Sequence, residues 1–261
     1  MRTRAWMSAV VLLSSTMAGR AEAQWTNPRL IGSQVAFGIG ATFVSKVFIK
    51  HAPLGRALKE SILPGATAGV VAHTGYAIAG RRPKLALVGK ALAQKSALIT
   101  RRAIDGNSVF DGSLYSEWAL THCFVYLRFD PRPKVELDVL NAGVGSYYLL
   151  SRDHAFDRAR SLYSGSLVFK HGTSKPYVHG YAAPGVIWVD ASSYDDDQVL
   201  GHEVVHSLQA ERGAGVRDWH YRGLRFNFLA FASGVPAFIT GWPEHDRRWH
   251  EREANLYAGR Q

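Results

Sequence analysis

The sequence predicts an α+β fold: helices at the N-terminus, a small and mainly antiparallel sheet in the middle, then helices again at the C-terminal end. Three observations carry this. Ala and Gly dominate residues 30–103, apolar and polar side chains alternate with a period of two near residue 134, and helical spacing returns after residue 195. The 261 residues suffice for one sizeable core, so residues 24–261 read as a single α+β domain. Within it, 24–103 form the helical N-terminal part, and 104–261 carry the sheet and the chemistry.

Residues 1–23 read as a signal peptide. Arg2 and Arg4 precede an apolar run from Ala5 to Ala18, and Ala21-Glu22-Ala23 supplies a small-residue cleavage site. The chain is therefore expected to be exported, and to be periplasmic, secreted or peripherally membrane-associated. Cys123 is the only cysteine, which excludes an internal disulfide; in the apolar run THCFVYLRF it reads as a buried, inert thiol.

Three helices are expected over residues 30–103, broken by Pro53, Pro64 and the turn Gly80-Arg81-Arg82-Pro83. Small residues three to five apart in GATAGVVAHTGYAIAG let helices approach closely. His73 interrupts that stretch, so it reads as a packed helix pair and not as a membrane span. From Lys84 to Arg102 apolar residues mix with five cations, a pattern that packs one face and solvates the other.

Val135, Leu137 and Val139 alternate with Lys134, Glu136 and Asp138, which predicts a half-buried strand. With the run Cys123 to Phe129 it forms a hairpin across Pro131-Arg132-Pro133. Further strands are expected at Ser146–Leu150, Ser166–Lys170 and Val186–Val189. Residues 226–242 are the most apolar stretch after the leader and read as a core helix kinked near Pro236.

Ser192, Ser193 and Asp195 to Asp197 precede Val199, Leu200, Val204 and Leu208 at helical spacing. A helix is expected from about Asp195 to Glu211, stopping near Gly213. On it, His202 and His206 stand four residues apart and project from one face, as two ligands of one zinc ion require. Glu203, next to the first His, is the candidate general base in an H-E-x-x-H pattern. Zn2+ is the expected cofactor. A second helix is expected from about Glu244 to Ala258, with Gly259 as its stop. It carries Trp249-His250-Glu251-Arg252-Glu253-Ala254-Asn255.

His202 to His206 and Glu251 to Asn255 together resemble the paired motifs H-E-x-x-H and E-x-x-A-D of gluzincins, such as the CaaX-type prenyl proteases and their bacterial heat-shock relatives. The resemblance implies a zincin-like arrangement for this part of the chain. It also implies Glu251 as third zinc ligand and Asn255 in the place of the Asp that supports a zinc-bound His. The chain departs from those relatives in two ways: Asn255 brings no charge, and their several transmembrane helices are lacking. Glu253, His220, His245 and His250 compete with Glu251 as third ligand, but Glu253 lies about 200° around the helix from it. Metzincin spacing would need a His where Arg212 stands. Candidate oxyanion stabilisers are His220, Tyr221 and Tyr257.

A zinc metallohydrolase acting on peptide or protein substrates is the reading these residues favour. A non-catalytic, zinc-stabilised envelope protein that binds a membrane or a partner is the alternative. The net charge of +10 falls to +8 once Arg2, Arg4 and Arg20 leave together with Glu22. That charge suits an anionic membrane surface. Lys and Arg are spread over the whole chain without a nucleic-acid motif, so no nucleic-acid partner is expected.

Overall fold

Asn27 and Pro28 begin the first helix as local chemistry dictates: the Asn27 side chain accepts from the Arg29 N–H at 3.0 Å, and Pro28 occupies the first turn. The computed structural model describes residues 27–110, 116–130, 132–151, 154–172, 179–183, 185–215, 218–226 and 249–260. The leader, most of 226–242 and His245 therefore lie outside the described residues. Helix α1 (Pro28–Phe48) is followed by α2 (Leu54–Arg81), a 3-10 turn (Pro83–Leu85) and α3 (Ala86–Ile104). By length and composition α1 could cross a membrane, and only 28% of its most apolar window is buried.

Pro64 does not break the chain as expected but sits inside α2. A proline there costs a helical hydrogen bond, yet close packing holds the helix on both sides of it. A Cβ on Gly65 would lie 2.5 Å from the Ile39 Cα, and one on Gly69 2.5 Å from the Val35 Cα. In α3 the cations are not all solvated either. Lys90 and Lys95 are buried; Lys90 pairs with Glu211 at 2.8 Å, and Lys95 donates to the Glu117 carbonyl.

The described residues form seven α-helices and two sheets, where the sequence had suggested one sheet. The first sheet runs in the order β1 (Trp118–His122), β2 (Val125–Asp130), β3 (Arg132–Asp138), β9 (Leu224–Phe226), β8 (Trp219–Tyr221). The expected hairpin is β2–β3, with Leu127 opposite Val135. Cys123 belongs to neither strand. It sits at φ +55 in the turn between β1 and β2, buried, and burial pushes its thiol pKa up.

Ser146–Leu150, expected as a strand, is the second half of helix α4 (Val139–Leu150). Asp138 decides this: its side chain accepts from the Asn141 N–H at 3.0 Å, ending β3 and starting a helix in one step. Its apolar content fits either structure, so the cap outweighs the pattern.

The second sheet has the order β4 (His154–Asp157), β5 (Leu167–His171), β7 (Val186–Asp190), β6 (Gly180–Ala183); helix α5 (Arg158–Ser164) joins β4 to β5. Each sheet contains one parallel pairing, β3 with β9 and β5 with β7; the others are antiparallel. Helix α6 (Asp197–Gly215) follows β7, and α7 (Trp249–Ala258) closes the described chain. One hydrophobic cluster joins Leu30 of α1, Ala72 and Tyr76 of α2, Ala93 of α3, Ile187 of β7, Leu200 and Leu208 of α6 and Tyr257 of α7. The N-terminal helices and the histidine-bearing helix thus share a core.

Candidate metal centre

The path from β7 into α6 is fixed by short side chains. Asp190 accepts from the Ser192 N–H at 2.8 Å, and Asp196 from the Gln198 N–H at 2.8 Å. The helix therefore starts two residues later than Asp195, and it runs on to Gly215. Val199, Leu200, Val204, Val205 and Leu208 are all at most 2% exposed, which sets the rotation of α6 about its axis. Gly201 lets the helix sit directly on the end of α2, since a Cβ there would meet the Gly80 carbonyl oxygen at 2.1 Å.

Helix α7 is oriented in the same way. Ala254, Tyr257 and Ala258 are buried, and Glu251 lies on the stripe of Ala254 and Ala258 at helical spacing. The result is a convergence of three ligand atoms. His206 Nε2 lies 3.0 Å from His202 Nε2 and 3.0 Å from Glu251 Oε2, and His202 Nε2 lies 3.2 Å from the same oxygen. Glu203 Oε1 is 4.0 Å from His202 Nε2. Both Glu203 and Glu251 are buried.

The electrostatics are those of an unbalanced site. Burial lowers the pKa of His202, against the pull of Glu251. Burial also opposes protonation of His206, but the hydrogen bond and charge of Glu251, helped by Glu203, raise its pKa. Two imidazole nitrogens facing each other at 3.0 Å cannot both keep a lone pair and both be satisfied. A proton on one of them, or a cation held between them, resolves this. Two imidazoles and one carboxylate form the donor set of a catalytic zinc, whose tetrahedral geometry spaces its ligand atoms by about 3.3 Å. The observed triangle is close to that, so the residues present fit the ion.

The structure thus brings together four of the residues singled out in the sequence: His202, His206, Glu251 and Glu203. It places Tyr257, His220, Tyr221, Asn255 and Glu253 elsewhere, while His245 and the His250 side chain lie outside what the structure describes. The Tyr257 hydroxyl is 2.8 Å from His73 Nδ1, and its ring packs edge-on against Tyr76. His220 Nδ1 pairs with Glu136 at 2.5 Å and Nε2 with Asp218 at 3.3 Å, in the first sheet. Tyr221 is exposed and stacked on Trp219. His220 and Tyr221 belong to a hairpin with a two-residue loop, Arg222 at φ +47 and Gly223 at φ +81; only Gly223 is a residue type that such a turn favours. Asn255 is partly buried, and no hydrogen bond joins its side chain to either histidine among the described residues. His202 Nδ1 is buried without a hydrogen-bond partner among them. Glu253 points away from the ligand triangle and accepts from Gln34 Nε2 at 2.6 Å and Gln209 Nε2 at 2.8 Å.

Val186–Val189 lies inside its sheet, because β7 is paired on both sides; β6 is the outer strand beside it. Gly180 of β6 abuts the candidate base so closely that an added Cβ would lie 2.7 Å from Glu203 Oε1. Neither Gly180 nor Gln209 stood out in the sequence, although Gln209 lies one helical turn after His206. No protein-family model, curated protein or solved structure matches this chain.

Proposed function

We propose that this chain is an exported zinc-dependent metallopeptidase, with residues 104–261 in a zincin-like arrangement. The observation that carries the reading is the convergence of His202 Nε2, His206 Nε2 and Glu251 Oε2 beside a buried Glu203. His202, His206 and Glu251 would hold the ion and leave a position open. Zinc, when bound, supplies a Lewis acid and makes water a nucleophile near neutral pH.

The chain's own work then falls to Glu203 and β6. Glu203 takes a proton from the attacking water through a carboxylate oxygen, water oxygen bonds to the peptide carbonyl carbon, and the C–N bond breaks. The same carboxyl passes its proton to the leaving amine nitrogen. Among the described residues β6 pairs only with β7, which leaves its outer edge for main-chain hydrogen bonds to an extended peptide. Gly180 puts that edge against Glu203 with no side chain between them.

Elemental analysis and hydrolysis of an unfolded protein test the reading together. About one zinc per chain is expected, lost in His202→Ala and Glu251→Ala. Glu203→Gln should keep its zinc and lose hydrolysis by a factor on the order of 10²–10⁴. Absence of zinc after growth in zinc-replete medium, or full activity in zinc-loaded Glu203→Gln, overturns it.

One observation favours a second reading, a zinc-stabilised envelope protein held to an anionic membrane surface and without turnover. Phe37, Val44 and Phe48 of α1 and Leu58 and Ile62 of α2 are all at least 44% exposed, and Arg56 and Lys59 are exposed beside them. Apolar side chains flanked by cations suit an interface with anionic lipid. Under this reading the protein sediments with anionic vesicles and not with neutral ones, Phe48→Asp weakens that, and no hydrolysis is found. Free protein in both vesicle samples excludes it.

A further inference from the structure

Resting on the proposed metal centre, a line of polar side chains leads from His206 into the N-terminal helix. His206 Nδ1, the nitrogen turned away from Glu251, lies 3.0 Å from Gln209 Oε1. The Gln209 amide nitrogen is 2.8 Å from Glu253 Oε2. The other Glu253 oxygen is 2.6 Å from Gln34 Nε2 and 3.0 Å from Ser33 Oγ on α1. Arg212 donates to Gln34 Oε1. Gln34, Arg212 and Glu253 are at most 3% exposed.

The chemistry of these groups gives the line a direction. Arg212 is a donor only, so it turns the Gln34 carbonyl toward itself and the Gln34 amide N–H toward Glu253. Glu253, a carboxylate held by that amide, takes the N–H of Gln209 and so turns the Gln209 carbonyl toward His206. An amide oxygen only accepts, so the His206 proton is placed on Nδ1 and the lone pair on Nε2. That is the tautomer a ligand bound through Nε2 must have.

We propose that Gln209, Glu253 and Gln34 are positioning residues that fix His206 as a metal ligand and make metal affinity depend on the docking of α1. Glu253, a rival third ligand by sequence, acts through Gln209 and does not touch the metal. The relay stands in for the support that the motif resemblance assigned to Asn255. Helix α1 thereby belongs to the metal centre although it contributes no ligand.

The test is zinc affinity of the full chain by competition with a chromophoric chelator, with the visible spectrum of the cobalt-substituted protein as a second readout. Gln209→Met, at a partly buried position, keeps the bulk and removes the acceptor. It should weaken zinc binding by about 10–100-fold and alter the cobalt bands. The exchange Gln209→Glu with Glu253→Gln preserves the acceptor at 209 and the N–H between the two residues, so it should restore affinity to near that of the parent. Parent-like affinity in folded Gln209→Met, or weak affinity in a folded exchange variant, overturns the relay. If Gln209→Met does not fold, the exchange variant alone decides. A parent protein that binds no zinc at all overturns the metal centre itself, an outcome distinct from relay failure.

Discussion

Two clusters of buried titratable side chains, one around Arg225 and one at His202, His206 and Glu251, differ in charge balance. Around Arg225, every charge meets its opposite: Nη1 is 3.0 Å from Asp138 and Nε 2.7 Å from Asp218, while Asp218 also meets Arg101 at 3.0 Å and His220 at 3.3 Å. The guanidinium lies 4.0 Å over the Tyr126 ring. Burial by itself would push Asp218 up, but hydrogen bonds and charge from His220 and Arg225 hold it far below the usual carboxylate range. At His202, His206 and Glu251, by contrast, three lone-pair-bearing atoms of like kind face one another within 3.2 Å, a grouping that could hold a metal ion. The first cluster pairs cation with anion; the second gathers atoms that could hold a metal ion. Burial and perturbed pKa values are common to both, so complementarity is what separates a structural network from a candidate site.

That contrast can be broken most forcefully at Arg225. Arg225→Met leaves Asp138 and Asp218 buried without their main cation and should cost about 3–5 kcal/mol, read as a lower denaturation midpoint, with the zinc content per folded chain unchanged. His206→Ala is the mirror case: zinc is lost, and the variant unfolds within about 1 kcal/mol of the parent when both are metal-free. Equal destabilisation by both would erase the distinction.

A smaller effect sharpens the same comparison through pH. The hydrogen bond to Asp218, opposed by burial and aided by Glu136, raises the His220 pKa. A raised folded-state pKa means that the stabilisation is fully present below the unfolded value of about 6.5. It is lost as pH rises through the folded value. The denaturation midpoint of the parent should therefore fall over that window. His220→Gln should show a flatter profile there and a lower midpoint at the acid end. An unchanged profile would mean that His220 titrates alike in both states.

Several elements were legible from residues alone because their determinants are local. The spacing of His202 and His206, the alternation at Val135 and Leu137, and the stop at Gly259, which adopts φ +79, each need only one segment of chain. Ser146–Leu150 was misread because its apolar run fits both periods, and one hydrogen bond from Asp138 decided between them. Pro64 was misread because a local rule could not include the backbone of α1 packed against Gly65 and Gly69. Lys90 was assigned to solvent because its partner, Glu211, is 121 positions away.

The division follows from how each quantity is set. The amino-acid sequence by itself determined the α+β class, the H-E-x-x-H helix and the nature of the ligand atoms, since propensity, capping and side-chain type act within a few residues. Only the tertiary structure decided that Glu251 and not Glu253 joins the histidines, because both are buried on α7 and only the packing of Ala254 and Tyr257 fixes which one faces α6. It likewise decided that β6 is the outer strand, and that Gln34 of α1 reaches the surroundings of His206. Contacts between segments far apart in the chain depend on how whole surfaces fit, and no short window of sequence contains that information.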